Sequence, residues 1–191
     1  MWERYGADGH EGTVGVLLAD GSEPGPVFFD TGSSGHVHQS TTWSVYDGTL
    51  RAPVAARMRG KCGCGWRGEA SYPIDWDQVD HRHPEEYNTS GPEEDWERHM
   101  NEVAARMVPL PEDVTGLLNQ LRERLSEIDD KNPLAALRVV GELEAMASST
   151  GPYVARRIAF EDVSAEAVAE GLGITEDKAR SRLSRYEFMD R

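Results

Sequence analysis

The alternation of apolar and polar positions changes rhythm part-way along this chain. Up to about residue 80 it follows a period of two, cut by turn residues. Residues 13–18 (Thr-Val-Gly-Val-Leu-Leu), 26–30 (Pro-Val-Phe-Phe-Asp) and 41–46 (Thr-Thr-Trp-Ser-Val-Tyr) predict strands, with Asp20-Gly21 and Asp47-Gly48 closing the first and third. Residues 53–59 predict a fourth strand leading into a Cys-Gly-Cys-Gly turn. From 92 to 107 the spacing becomes helical, with Trp96, Val103 and Met107 on one side. Val108-Pro109-Leu110-Pro111 then marks a boundary, because two prolines block helix continuation and stiffen the link.

Beyond that boundary every segment predicts helix. Val114, Leu117, Leu118, Leu121, Leu125 and Ile128 form one apolar stripe. Asn132-Pro133 ends that helix and starts the next, whose stripe runs from Leu134 and Leu137 to Ala147. Thr150-Gly151-Pro152 predicts a break, with a third helix starting at Pro152 and continuing through Ile158. The fold class expected is α+β. It comprises a small antiparallel β-rich N-terminal domain over 1–80, an acidic helix and Pro-containing linker over 81–111, and an all-α domain over 112–191.

The last segment, 164–188, predicts two short helices joined by a tight turn. Val168, Ala169 and Leu172 share a face of the first, and Ile174, Ala179 and Leu183 pack against them. Gly173 suits a left-handed turn residue, and Thr175 stands at an N-cap position before Glu176 and Asp177. This is the pattern of a helix-turn-helix. Ala169, Leu172-Gly173-Ile174 and Ser181-Arg182-Leu183-Ser184-Arg185 resemble the promoter-reading region 4 of sigma factors and related helix-turn-helix regulators. The resemblance implies sequence-specific binding to double-stranded DNA in transcriptional control. It implies that the helix from Thr175 enters the major groove, with Lys178, Ser181 and Arg182 near bases. Arg180, Arg185 and the amides around Thr175 would then face phosphates. The stripe at 114–128 is a candidate homodimer surface, since paired recognition helices need fixed spacing.

Charge refines the picture. The net charge of −14 excludes a general nucleic-acid coat. It is uneven: −9 over 1–111, −4 over 112–149 and −1 over 150–191. The least acidic part is thus the candidate DNA-binding end. An acidic body also suits a basic protein partner, and a protein-interaction adaptor is the alternative reading from another class. No apolar run reaches membrane-span length and the N-terminus has no signal-peptide core, so a cytoplasmic location without membrane contact is expected.

The chain has two cysteines, Cys62 and Cys64. Separated by one glycine, they resemble one knuckle of a zinc ribbon, in which glycines let two thiolates point at one ion. Histidines must complete a four-ligand site. His99 is the first choice and His38 the fourth candidate, sharing a strand face with His36; His81 and His83 are rivals. One further motif belongs to another class. Val27-Phe28-Phe29-Asp30-Thr31-Gly32-Ser33 resembles the active-site loop of pepsin-like aspartic proteases, which implies a catalytic Asp30 paired with an aspartate from a second chain. The chain holds no second Asp-Thr-Gly, and a polar turn after a strand accounts for the same residues.

Overall fold

A computed structural model describes residues 1–29 and 38–188; Asp30 and His36 lie outside the described residues. The chain divides into two compact units, Met1–Ala105 and Arg106–Arg191. The architecture is mixed α and β, with small antiparallel sheets in the first unit. Among the described residues no helix is long and apolar enough to cross a membrane.

The first unit contains β1 (Gly12–Leu17), β2 (Val27–Phe29), β3 (His38–Ser40), β4 (Arg57–Cys62), β5 (Tyr72–Pro73) and helix α1 (Ser90–Arg106). Strands β1, β4 and β5 make one antiparallel sheet in that order, and β2 and β3 make a separate hairpin. The register sets Gly12 opposite Cys62 and Leu17 opposite Arg57. Alternate residues of β4, Met58, Gly60 and Cys62, point inward, as period-two geometry requires.

Two strand expectations are corrected. Residues 41–46 do not form a strand; Trp43–Val45 is a 3₁₀ turn. Trp43 and Tyr46 are both buried, and a three-residue period brings i and i+3 to one side where strand alternation would part them. Trp43 there packs against Trp76 and Tyr87, with ring centroids 5.8 and 5.5 Å away. The fourth strand also starts later than 53, at Arg57, and runs to Cys62. Pro53 lacks the N–H that a ladder position needs.

Two polar anchors close this core. The Trp76 indole donates to the Ala55 carbonyl at 2.8 Å, and the Tyr46 hydroxyl donates to the Gly25 carbonyl at 3.1 Å. The acidic helix α1 turns Trp96 and Met100 into a cluster with Cys62, while Met107 falls beyond its end. Asp95 on the same helix is buried and accepts from the Tyr72 hydroxyl at 3.1 Å and from Arg98 at 2.9 Å, tying α1 to β5.

The second unit is α2 (Glu112–Asp129), α3 (Pro133–Phe160), α4 (Ala165–Leu172) and α5 (Glu176–Phe188). The short connection 130–132 folds α3 back along α2. The Asn132 side chain accepts from the Ala135 amide at 3.2 Å, and Pro133 occupies the first turn. The break expected at 150–152 does not occur; α3 continues through Pro152. Proline in a helix interior costs about 3 kcal/mol, here through the lost bond to the Ser148 carbonyl. Tertiary packing offsets it: Gly151, Pro152 and Ala155 are all buried. A Cβ on Gly151 would sit 2.3 Å from the Tyr186 ring, so glycine is what lets α5 approach.

Helices α4 and α5 pack as a pair. The Ser164 hydroxyl accepts from the Ala167 amide at 3.1 Å, Gly173 turns the chain at φ 65°, and the Thr175 carbonyl accepts from Ala179 at 2.9 Å. Val168, Ala169, Ile174 and Ala179 form the core between them, flanked by Ile158 and Leu183. Leu172, expected in this cluster, is exposed, and Ile174 beyond the turn is buried.

Gly151→Ala should lower the stability of the second unit by about 1–3 kcal/mol, from the clash with Tyr186. In a Tyr186→Ala background the sign should reverse, because alanine then gains its helix propensity of about 1 kcal/mol over glycine. Urea denaturation of the four variants checks both outcomes.

Candidate metal centre

The Cys turn is built by the backbone. Cys62 ends β4; the Gly65 amide donates to the Cys62 carbonyl at 3.0 Å, and the Cys62 amide donates to the Trp66 carbonyl at 3.0 Å. Gly65 sits at φ 97°, a left-handed conformation that glycine adopts without strain. Between the cysteines, Gly63 lies so close to the preceding loop that a Cβ would stand 2.6 Å from the Gly9 carbonyl oxygen. That close approach brings the 7–10 turn, closed by the His10 amide donating to the Ala7 carbonyl at 3.0 Å, over the thiols.

Four side chains converge here: His10, Cys62, Cys64 and His99, with one ligand atom of each lying within 4.8 Å of all the others. Cys62 Sγ is 3.7 Å from His10 Nδ1, and Cys64 Sγ is 3.4 Å from His99 Nε2. A tetrahedral ion with metal–sulfur bonds near 2.3 Å and metal–nitrogen bonds near 2.0–2.1 Å sets its ligands about 3.3–3.8 Å apart. The two measured pairs match those edges. Three elements contribute: the turn before β1, the turn after β4, and α1, which carries His99 one position before Met100.

The surroundings favour a thiolate. A hydrogen bond from the Cys64 thiol holds Cys62 well below the usual thiol range, with help from His10, and raises Cys64 in turn. A divalent cation held by both sulfurs would require both thiols to be deprotonated. The Trp96 Nε1–H is buried without a hydrogen-bond partner and lies beside Cys62 in the core cluster. A thiolate is an acceptor for such a donor, and a metal-bound sulfur would be one. His99 stacks on Trp66 at 4.5 Å and 7° between planes, which fixes its ring orientation. Burial lowers His99 below the ordinary imidazole value, so the neutral, metal-ligating form is favoured. His10 and Cys62 are buried, Cys64 is exposed and His99 is half-buried.

Of the residues expected from sequence, Cys62, Cys64 and His99 come together. His38 does not join them; it lies exposed on β3, paired with Phe29 in the separate hairpin. His81 sits 3.4 Å from Asp47, and His83 sits 3.2 Å from Glu85. The fourth member, His10, was not legible as a ligand, since it lies 52 positions from Cys62 in the chain. The usable signal was the histidine two residues before a strand that pairs with the cysteine strand.

The residues expected at DNA lie on α5 or beside it. Thr175 is half-buried at its start, and Lys178, Ser181 and Arg185 are exposed. Arg182 is half-buried, and the Arg185 guanidinium lies 5.3 Å from the centre of the Tyr186 ring. Arg180 is held at 2.5 Å by Glu176 and 3.2 Å by Asp177.

Elemental analysis should find one metal ion per chain. His10→Ala should abolish retention, and His38→Ala should leave it intact. Metal-free protein should also lose stability on acidification. The unfolded chain protonates residue 99 near 6.5, whereas the folded chain resists, so His99 contributes stability above 6.5 that is lost as pH falls through its lower folded value. Melting temperature should drop between about pH 7 and pH 5, less steeply in His99→Gln. Comparison of the chain with protein-family models, curated proteins and solved structures gives no match.

Proposed function

We propose that this chain is a sequence-specific DNA-binding regulator whose first unit is stabilised by a structural zinc ion. Zinc suits a set of two sulfurs and two imidazole nitrogens at tetrahedral spacing. With four protein ligands and no position left for water, its role is to cross-link three chain segments rather than to activate substrate. The small core of the first unit gains most from such a clip.

The DNA reading is carried by one observation on α5. Lys178, Ser181, Arg182 and Arg185 stand at i, i+3, i+4 and i+7, which is one face of a helix. Ala179 and Leu183 face the other way, into the core with α4. Lys178, Ser181 and Arg185 are exposed on that side, and half-buried Arg182 borders it. Arg180 leaves the contact set assigned to it by resemblance, because Glu176 and Asp177 neutralise it on a different face. Lys178, Ser181 and Arg182 then read base edges, Arg185 meets phosphate, and the amides after Thr175 offer a phosphate site. The acidic remainder of the chain suppresses non-specific binding, so affinity rests on this one face.

Selection from random duplexes should return a defined sequence. Binding to it should fall steeply with salt, with a log–log slope of about −0.9 per phosphate neutralised. A folded Lys178→Ala/Arg182→Ala/Arg185→Ala variant should lose it, and Arg180→Ala should retain it to within a few-fold. Failure to retain any duplex at low salt would overturn the reading and leave an adaptor for a basic protein surface.

A further inference from the structure

Helix α3 carries a second apolar stripe that is exposed over its last three members, while the first, Val139, is half-buried. Val139, Met146, Tyr153 and Phe160 recur at intervals of seven, which keeps them in line down one side of the helix. Met146, Tyr153 and Phe160 are 64%, 68% and 92% exposed. Gly151, which packs under Tyr186, lies on the opposite side from Tyr153, and Ala136, in the groove with α2, borders the Val139 end of the stripe. The stripe at 114–128, expected as the dimer surface, is partly used within the chain: Leu121, Leu125 and Ile128 are half-buried.

The α3 stripe is its own complement under a two-fold rotation. With the axis between Ser149 and Thr150, an antiparallel second copy sets Met146 against Tyr153 and Val139 against Phe160. The same rotation sets Glu142 against Arg157 and Arg138 against Glu161, so opposite charges meet at both ends. The two residues at the crossing are small enough for close helix approach. A parallel pairing would instead stack Glu142 on Glu142 and Arg157 on Arg157. Arg157 bonds Glu161 of its own chain at 3.2 Å, with both side chains largely exposed, and exchange to a partner's carboxylate costs little.

We propose that this face of α3 is a homodimer interface in which two copies of the helix cross antiparallel. The isologous contact closes on itself and leaves no open end for further copies. It involves no nucleic acid and is tested without it, so its failure is separate from that of the DNA reading. Sedimentation of the full chain at about 50 µM should give twice the 21.2 kDa chain mass. Met146→Glu/Tyr153→Glu, at exposed positions, should sediment as a monomer with an unchanged helical circular-dichroism spectrum. Glu142→Arg and Arg157→Glu should each weaken the dimer about tenfold, and the double swap should restore it. A monomeric wild type, a Met146→Glu/Tyr153→Glu variant that still dimerises, or a double swap no tighter than the singles would overturn the assignment.

Discussion

The antiparallel pairing of β1 with β4 governs the first unit. Its register sets Gly12 opposite Cys62, so the loop that precedes β1 runs beside the turn that follows β4. His10 reaches the thiols for that reason and for no local one. The sheet also presents the face on which α1 lies, with Trp96 and Met100 against Cys62. One end of a two-stranded ladder therefore positions four donor atoms from three separate stretches of chain. Slipping the ladder by one residue would turn Cys62 to the other face and take the centre apart.

The centre and the core around it have complementary roles. The hydrophobic cluster beside the thiols is small, and its largest member, Trp96, has an indole N–H without an oxygen or nitrogen acceptor. Apolar packing alone leaves that group unsatisfied. Cys62 belongs to the same cluster, so the state of its sulfur and the packing of the indole are linked. The stacking of His99 on Trp66 acts in the same direction, because it orients a ligand at the edge of the cluster where water has access.

The second unit follows a different logic. It is held by helix-on-helix contacts between small residues, Ala169, Ala179, Ala155 and Gly151, that let backbones approach. Such contacts bury little apolar surface per residue, and much remains outside: α2 has no fully buried residue, and α3 exposes Met146, Tyr153 and Phe160. The unit thus presents two outward faces of opposite character, a cationic one on α5 and an apolar one on α3.

Local pattern by itself determined the helical elements at 92–107 and 114–128 and the pair at 164–188, because amphipathic spacing, a proline start and a glycine turn act over a few residues. It also pointed to Cys62 and Cys64 as a pair in need of histidine partners, with His99 as first choice among several. Tertiary structure decided the rest. Residues 41–46 have the composition of a strand, yet Trp43 and Tyr46 are drawn into one core across a 3₁₀ turn. Pro152 carries a stop signal, yet the burial of Gly151 against Tyr186 holds the helix together across it. His10 replaced His38 because strand pairing, which joins residues far apart in the chain, selects neighbours that no local pattern records. Propensities and caps are short-range energies, whereas register, helix approach and ligand geometry depend on which distant segments meet.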